Sequence, residues 1–362
     1  MSSILLLVTD GLDGQAGGVQ RVTRSVVRAA MGLGDEVRVW SANDRDGGFC
    51  SREAGGVRTL CFNRRYFDMG LAALLGRDLP FDCRRVDCWH LALSPIARVL
   101  SARLRCPYRV FFHGVEAWGG FSWIQNWGMR GAAGFAANSR YTWERFRSVH
   151  PDLAGIPADV IPLGLNEEFE RTVAPFAGRE GRPYLLTVTR LAETYKGMET
   201  LLRAFLTVSR EWPEIELVCV GEGPRRAEWE EMAASLGLAE RVWFAGRVPD
   251  AELAAFYAGC RAFALLSEEE GFGIVYLEAM FHGKPCLASG AGAAREIVRD
   301  GETGLVVPPR DAGAAAAALR RLLDGSGERE RLGEAARRMV LADYTATEFE
   351  GRLRKFLGQA ED

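Results

Sequence analysis

The chain has 362 residues, 48% of them hydrophobic, which suits about two domains that each bury a core. Its formal net charge of −3 gives no electrostatic case for wholesale nucleic-acid binding. Eight cysteines occur without a C-x-x-C pair, so buried thiols in a reducing cytosol are expected rather than a disulfide frame or a zinc site.

The chain starts M-S-S-I-L-L-L-V-T-D, with no basic leader. The apolar run 4–8 reads as a first strand covered on both faces of a parallel sheet, not as a signal peptide. No apolar stretch approaches the ~20 residues of a membrane helix. The expected location is therefore cytoplasmic, or peripheral on the cytosolic face of the cell membrane. A Gly-rich loop fills 10–18, and Val19, Val22, Val26, Ala29, Ala30 and Leu33 mark one face of a helix. Gly34 ends it, and 36–41 makes a second strand. This β-loop-α-β opening often holds phosphate, but it lacks G-x-G-x-x-G and an acidic residue closing the second strand, so dinucleotide binding has little support.

The triplet Asp44-Arg45-Asp46 precedes two glycines and reads as a solvated turn, so no essential metal is expected. Residues 61–75 mix arginines with aromatic and aliphatic side chains, and Arg77, Arg84 and Arg85 follow. Two readings stand: an amphipathic segment in a membrane interface, or a helix packed on its own domain. Strands are expected at 86–93 and 108–112, the second running into His113-Gly114-Val115-Glu116. A histidine at the C-terminal end of a parallel strand sits where open α/β sheets bind ligands. Trp118, Phe121, Trp123 and Trp127 then cluster among glycines, suiting sugar stacking, a membrane interface or core packing alike. Residues 166–182, with Pro175, Gly178 and Gly181, read as an interdomain linker.

A second doubly wound unit begins with a strand at 184–189, with Arg190 at its end and Lys196 in the loop beyond. Two cations there, before a helix, suit a diphosphate. Strands at 214–220 and 241–245 lead into Gly221-Glu222-Gly223-Pro224 and Gly246-Arg247-Val248-Pro249, and 252–258 is a short helix. A strand at 261–266 then enters S-E-E-E-G-F-G-I-V-Y-L-E-A-M-F-H-G-K-P (267–285), in which 274–281 reads as a helix stopped by Gly283 and Pro285. Its glycines let backbone approach a ligand, and the helix start offers free N–H groups to an anion. One reading is a phosphate-bearing ligand facing that start, with two carboxylates left for hydroxyls; the other is an acidic surface loop before a core helix. Beyond it come a strand at 286–288, a small-residue loop at 289–294 and helices at 312–323, 328–341 and 346–357.

The segment E-G-F-G-x-x-x-L-E-A-M-x-x-G-K-P, with seven residues between Glu270 and Glu278, resembles the motif of retaining glycosyltransferases of family four. Similar matches fall at His113-Gly114-Val115-Glu116, Ala136-Ala137-Asn138-Ser139, 160–164, 190–197 and 295–311. The resemblance implies the α/β GT-B fold, two Rossmann-like doubly wound domains facing each other across a donor/acceptor cleft. An acceptor-side domain would span 1–168 and a sugar-nucleotide domain 169–345, with the helix at 346–362 packing back on the first.

By the same resemblance, Glu270 bonds the transferred sugar and Glu278 the ribose, while Arg190, Lys196 and the helix start after Gly273 face the diphosphate. His113 contacts the sugar near the reacting carbon. Gly17, Gly18, Gly221, Gly271, Phe272 and Ile274 border the donor, and Arg247 and Val248 meet the base. The implied reaction moves a hexose of mannose or glucose type from a GDP- or UDP-sugar, with retention and without a metal. The implied acceptor is a glycan, expected to be lipid-linked, in cell-surface polysaccharide assembly, with peripheral contact at the inner membrane face. A sugar-nucleotide epimerase and a non-catalytic nucleotide-sugar-binding subunit remain open, and an NAD-dependent oxidoreductase is the weakest alternative.

Overall fold

The computed structural model describes residues 3–9, 18–43, 50–54, 57–76, 79–80, 82–172, 181–325 and 327–358. Gly17, the Asp44-Arg45-Asp46 triplet and Arg77 lie outside the described residues. The chain divides into two compact units, Met1–Asn166 with Ala346–Asp362, and Glu167–Thr345.

Unit 1 runs β1 (Ser3–Val8), α1 (Gly18–Met31), β2 (Glu36–Ser41), β3 (Cys50–Ala54), β4 (Val57–Cys61), α2 (Tyr66–Leu75), β5 (Cys83–Cys88), α3 (Ser94–Leu104), β6 (Tyr108–Phe112), α4 (Trp123–Arg130), β7 (Gly134–Ala137), α5 (Arg140–Val149) and β8 (Ala158–Val160). Unit 2 continues with α6 (Glu167–Arg171), β9 (Tyr184–Val188), α7 (Met198–Glu211), β10 (Glu216–Val220), α8 (Arg226–Ser235), β11 (Val242–Gly246), α9 (Asp250–Gly259), β12 (Ala262–Leu265), α10 (Ile274–Phe281), β13 (Cys286–Ser289), α11 (Ala294–Ile297), β14 (Gly304–Val307), α12 (Ala312–Leu323) and α13 (Glu328–Asp343). The last helix, α14 (Ala346–Gly358), returns to unit 1 and packs on α1.

The two sheets have the orders β3-β4-β2-β1-β5-β6-β7-β8 and β11-β10-β9-β12-β13-β14. Every pairing is parallel except the edge pair β3–β4. In both sheets the strand order reverses beside a central strand, the place where doubly wound folds open their ligand crevice. β1 is buried along its whole length, as a central strand covered on both faces requires.

Four local expectations change. Leu33 lies past the end of α1 and is half-exposed, because the helix stops at Met31. The strand expected at 86–93 ends at Cys88; residues 91–93 form a turn instead, capped by His90 Nδ1, which accepts from Ala92 N at 3.2 Å. The edge strand β3, C-S-R-E-A, has no apolar alternation to announce it. Within 166–182, α6 buries Phe169, while 173–180 lies outside the described residues.

A fifth change matters more for function. Arg84 and Arg85 do not join an exposed basic segment. On β5, Val86 and Cys88 face the apolar core shared with α2 and α3, so Arg85 and Asp87 face the other way. There Asp87 accepts from Arg85 at 3.0 Å and from Arg109 at 3.1 Å, all three buried. The remaining donors reach the end of α14: Arg84 and Arg85 bond the Leu357 carbonyl at 2.9 and 2.8 Å, and Arg109 the Phe356 carbonyl at 2.9 Å. Three guanidinium groups thus satisfy the orphan carbonyls and the negative dipole end of the last helix.

Seven described cysteines are free thiols, all buried except Cys83. Burial pushes Cys88 and Cys260 up to about 12, so both stay neutral and pack as small apolar groups. Among the described residues no helix is long and apolar enough to cross a membrane.

Candidate functional site

The C-terminal edge of the second sheet carries four loops, after β9, β10, β12 and β13, that press on one another through glycines. Gly221 has φ +133°, and a Cβ there would lie 1.9 Å from the Thr189 carbonyl oxygen. Leu191 N donates to Glu222 O at 3.0 Å, so the loop carrying Arg190 is laid against the Gly221 loop. Gly197 has φ +72°, and a Cβ there would lie 2.0 Å from the Leu266 carbonyl oxygen. Only glycine therefore lets the start of α7 approach the end of β12.

That approach sets the polar centre of the site. Lys196 Nζ donates to Glu270 Oε2 at 3.1 Å, with both side chains mostly shielded. Two bonds to the Tyr195 carbonyl fix the backbone beneath them: Glu268 N at 2.6 Å and Ser267 Oγ at 3.4 Å. From the other side, Ala293 N donates to Glu270 O at 2.8 Å, and Gly292, at φ +70°, packs where a Cβ would meet Glu270 N at 2.6 Å. Sequence reasoning marked 289–294 only as a small-residue loop and missed Gly292. Its signal was the run of residues without bulk, S-G-A-G-A-A.

Gly271, Phe272 and Gly273 are buried behind Glu270, and Ile274 opens α10 half-buried. Gly273 takes φ +91° as the N-cap of α10, with no side-chain cap, so amides of the first turn are left to an outside acceptor. Tyr276 locks this turn down by donating its hydroxyl to Leu265 O at 2.7 Å. Burial holds that hydroxyl well above its ordinary value, so it stays a donor. Glu278 lies one turn further in, 2% exposed, with its Oε2 accepting the Tyr257 hydroxyl at 2.8 Å. Tyr257, on α9, was not singled out in the sequence because nothing local to 252–258 marks it.

Arg190 is less committed. Its side chain is 71% exposed and pairs with Glu193 at 3.1 Å, three residues on in its own loop. Gly246 ends β11 at φ +72° and accepts from Gly221 N at 2.8 Å. Arg247 then stands exposed and Val248 half-buried on the same edge. Lys196, Glu270, Gly271–Ile274 and Gly221 thus belong to one strand-end cluster, with Arg247 and Val248 at its β11 side.

In unit 1, Gly18 starts α1. His113 follows β6 at the C-terminal edge of its own sheet, half-buried. Its Nε2 lies 2.7 Å from the Trp89 carbonyl oxygen. A carbonyl only accepts, so Nε2 carries a proton, and in the neutral ring Nδ1 is the acceptor nitrogen. Asn138 Nδ2 donates to His113 O at 2.6 Å, and Glu116 Oε1 accepts from His113 N and from Gly114 N. The Ala136–Ser139 stretch thus has a physical role, since it ends β7 beside β6 and supplies the amide that fixes the histidine loop. The tryptophan cluster splits. Phe121 stacks on His150 at 4.0 Å and Trp118 meets Tyr141 edge-on at 5.5 Å, whereas Trp123 is 81% exposed.

Among the described residues no group of three or more His, Cys, Asp or Glu side chains could hold a metal ion.

Comparison with known proteins follows the same division of the chain. The sequence model of the family described as "Glycosyl transferases group 1" matches residues 168–339, and that of "Glycosyltransferase Family 4" matches 16–169. The chain is 33% identical over 220 residues to a GDP-mannose-dependent alpha-(1-6)-phosphatidylinositol monomannoside mannosyltransferase of Mycolicibacterium smegmatis, covering 57% of each chain. It is 33% identical over 168 residues to the alpha-D-kanosaminyltransferase of Streptomyces kanamyceticus, covering 46% of this chain and 43% of that one. The chain thus spans about half the length of the curated relatives it matches. Among solved structures, sucrose-phosphate synthase of Thermosynechococcus elongatus superposes with a TM-score of 0.82 at 22% identity, covering 99% of each chain. HepE of Anabaena, solved with UDP and glucose, gives 0.77 at 18% identity, covering 99% of this chain and 100% of that one. At such identities these structures speak for the fold alone.

Proposed function

Because the chain belongs to the group 1, family 4 glycosyltransferases, we propose that it transfers a hexose from a nucleoside-diphosphate sugar to a glycan acceptor, with retention and without a metal. The observation that carries this reading is the Lys196–Glu270 pair, shielded and fixed from two sides at the start of α10.

Cleaving the sugar–phosphate bond places negative charge on the departing diphosphate. A fixed ammonium and the free amides at the start of α10 are preorganised for that charge and need no reorientation as it develops. Lys196 also orients Glu270 by its bond to Oε2, and the carboxyl oxygens suit the hydroxyls of the transferred sugar. Arg190 joins the diphosphate by leaving Glu193, a small cost for a pair this exposed. Glu278, held by Tyr257, is the proposed ribose acceptor, and Arg247 and Val248 the neighbours of the base. Gly17 and Gly18 are proposed to lie against the diphosphate. His113 is proposed to touch the sugar near the reacting carbon, its Nδ1 free to accept.

Mannose from GDP-mannose is the favoured donor, since the mycobacterial relative uses it by name. The proposed acceptor is a lipid-linked glycan of the cell envelope, met by the protein at the cytosolic membrane face. The test is a thermal-shift panel of GDP, UDP, ADP and NAD. A ligand at 100 times its dissociation constant adds about 2.7 kcal/mol, so one nucleoside diphosphate should raise Tm and NAD should not. A shift with NAD, or with none of the four, would contradict the reading.

A further inference from the structure

The basic and aromatic residues between 61 and 130 separate by burial. Arg84, Arg85 and Arg109 turn inward to α14, as described above, and Phe62, Trp89, Tyr108, Phe111 and Phe112 are buried. The exposed ones on α2, α3 and α4 share one outer face. Helices α2, α3 and α4 lie side by side, α3 in the middle, against the face of the sheet that carries Val86 and Cys88. Arg103 of α3 donates to Leu74 O of α2 at 2.7 Å. Arg98 of α3 lies 4.4 Å over the Trp127 ring of α4 and also donates to the Trp127 carbonyl. Gly128 sits where a Cβ would meet Pro95 N at 2.6 Å, so α4 rests directly on the start of α3.

Outward from this layer point Phe67, 82% exposed, Leu71 and Leu74 from α2, with Trp123, Ile124 and Trp127 from α4. Lone exposed hydrophobics need no explanation, but three on α2 and three on α4, flanking α3, expose apolar area that water alone does not favour. The charge on it has one sign. The only acidic side chain on the three helices is Asp68, and Arg65 holds it at 2.6 Å. Arg64, Arg103 and Arg105 stand exposed around the apolar residues, without a carboxylate of these helices left to meet them.

We propose that the outer faces of α2, α3 and α4 form one docking surface for the headgroup–acyl boundary of an anionic bilayer. Phe67 and Trp123 enter the boundary, where aromatic side chains are favoured, and the arginines meet lipid phosphates. A second copy of this face would bring arginines and no free carboxylates; an anionic lipid surface brings the missing charge. All three helices leave the C-terminal edge of the first sheet, the edge that carries His113. Docking there would hold that edge near the membrane surface, where a lipid-linked glycan presents its sugars. The inference deepens the lipid-linked reading of the acceptor. It is carried by different residues from those that bind donor, and its test does not use turnover.

The experiment is co-sedimentation of the full chain with vesicles of phosphatidylglycerol and phosphatidylethanolamine, and with vesicles of phosphatidylcholine alone. Binding is expected to the first and not to the second. Each arginine at an anionic surface contributes about fivefold, so the R64Q/R105Q double variant should bind about 25-fold more weakly. F67S/W123S should lose at least about tenfold with Tm unchanged, since both side chains stand in solvent. Equal binding to both vesicle types, no binding to either, or undiminished binding by both variants would overturn the proposal. So would a dimer in analytical sedimentation that W123S dissolves, because the face would then belong to a second copy. Loss of nucleoside diphosphate binding with vesicle binding intact would count against the catalytic reading alone.

Discussion

The two sheets end in loops that hold their candidate residues in different ways. In unit 2 the loops after β9, β10, β12 and β13 touch backbone to backbone, through Gly197, Gly221 and Gly292 at positive φ. In unit 1 the loop after β6 is held by side chains: Asn138 and Glu116 bond the His113 backbone, and the imidazole bonds the Trp89 carbonyl. Close backbone packing leaves little freedom and fixes the Lys196–Glu270 pair. Side-chain bonds hold one ring in one tautomer, and each can be removed singly without a clash.

Mutations can break or sharpen that contrast. The largest effect is expected from Lys196→Ala, which removes the fixed ammonium and should lower turnover at least ~100-fold, measured as donor consumption. Next comes Gly197→Ala. Its methyl group would meet the Leu266 carbonyl in a backbone region that L residues rarely adopt. A loss of at least ~2 kcal/mol in denaturant unfolding is expected, and an unchanged midpoint would remove the close-packing account. Asn138→Ala should instead cost only about 1 kcal/mol, the scale of one lost hydrogen bond, while lowering turnover about tenfold, because it loosens the His113 loop. If it cost as much stability as Gly197→Ala, the two regions would not differ as described.

The smallest effect concerns the floor beneath α10. His282 packs beside Tyr257, and burial first, then Lys284 and Arg337, lowers its pKa from 6.5 to about 4. Folded His282 therefore stays neutral where the unfolded chain already takes up a proton. Its neutral form supports stability above pH 6.5, and that contribution is lost as pH falls towards about 4. Tm should decline across this window, and decline less in His282→Asn. Parallel profiles for the two proteins would contradict the assignment.

The same contrast explains what the sequence could tell. The stretch 267–285 was legible because its chemistry is local: glycines for the turn, an apolar helix face, Gly and Pro to stop it. Helices α10 and α12 begin and end where the residues alone put them. What required the fold was pairing at long range. Gly292 and Tyr257 reach Glu270 and Glu278 only because β13 and α9 come to lie beside them. Asn138 reaches His113 across a strand pair. Arg84 and Arg85 looked like part of a basic surface because alternation along β5 cannot reveal that a helix some 270 residues later supplies their partners.

The central claim is that Lys196, beside Glu270 at the start of α10, binds the diphosphate of a sugar nucleotide. Calorimetric titration of the wild-type chain and of Lys196→Ala with GDP and with UDP tests it most directly. The account predicts one-site binding of one of the two nucleotides by the wild type. It predicts binding weaker by at least ~10-fold in the variant, the scale of a lost charge-assisted hydrogen bond. Equal affinity in the two proteins, or no binding of either nucleotide by the wild type, would contradict it.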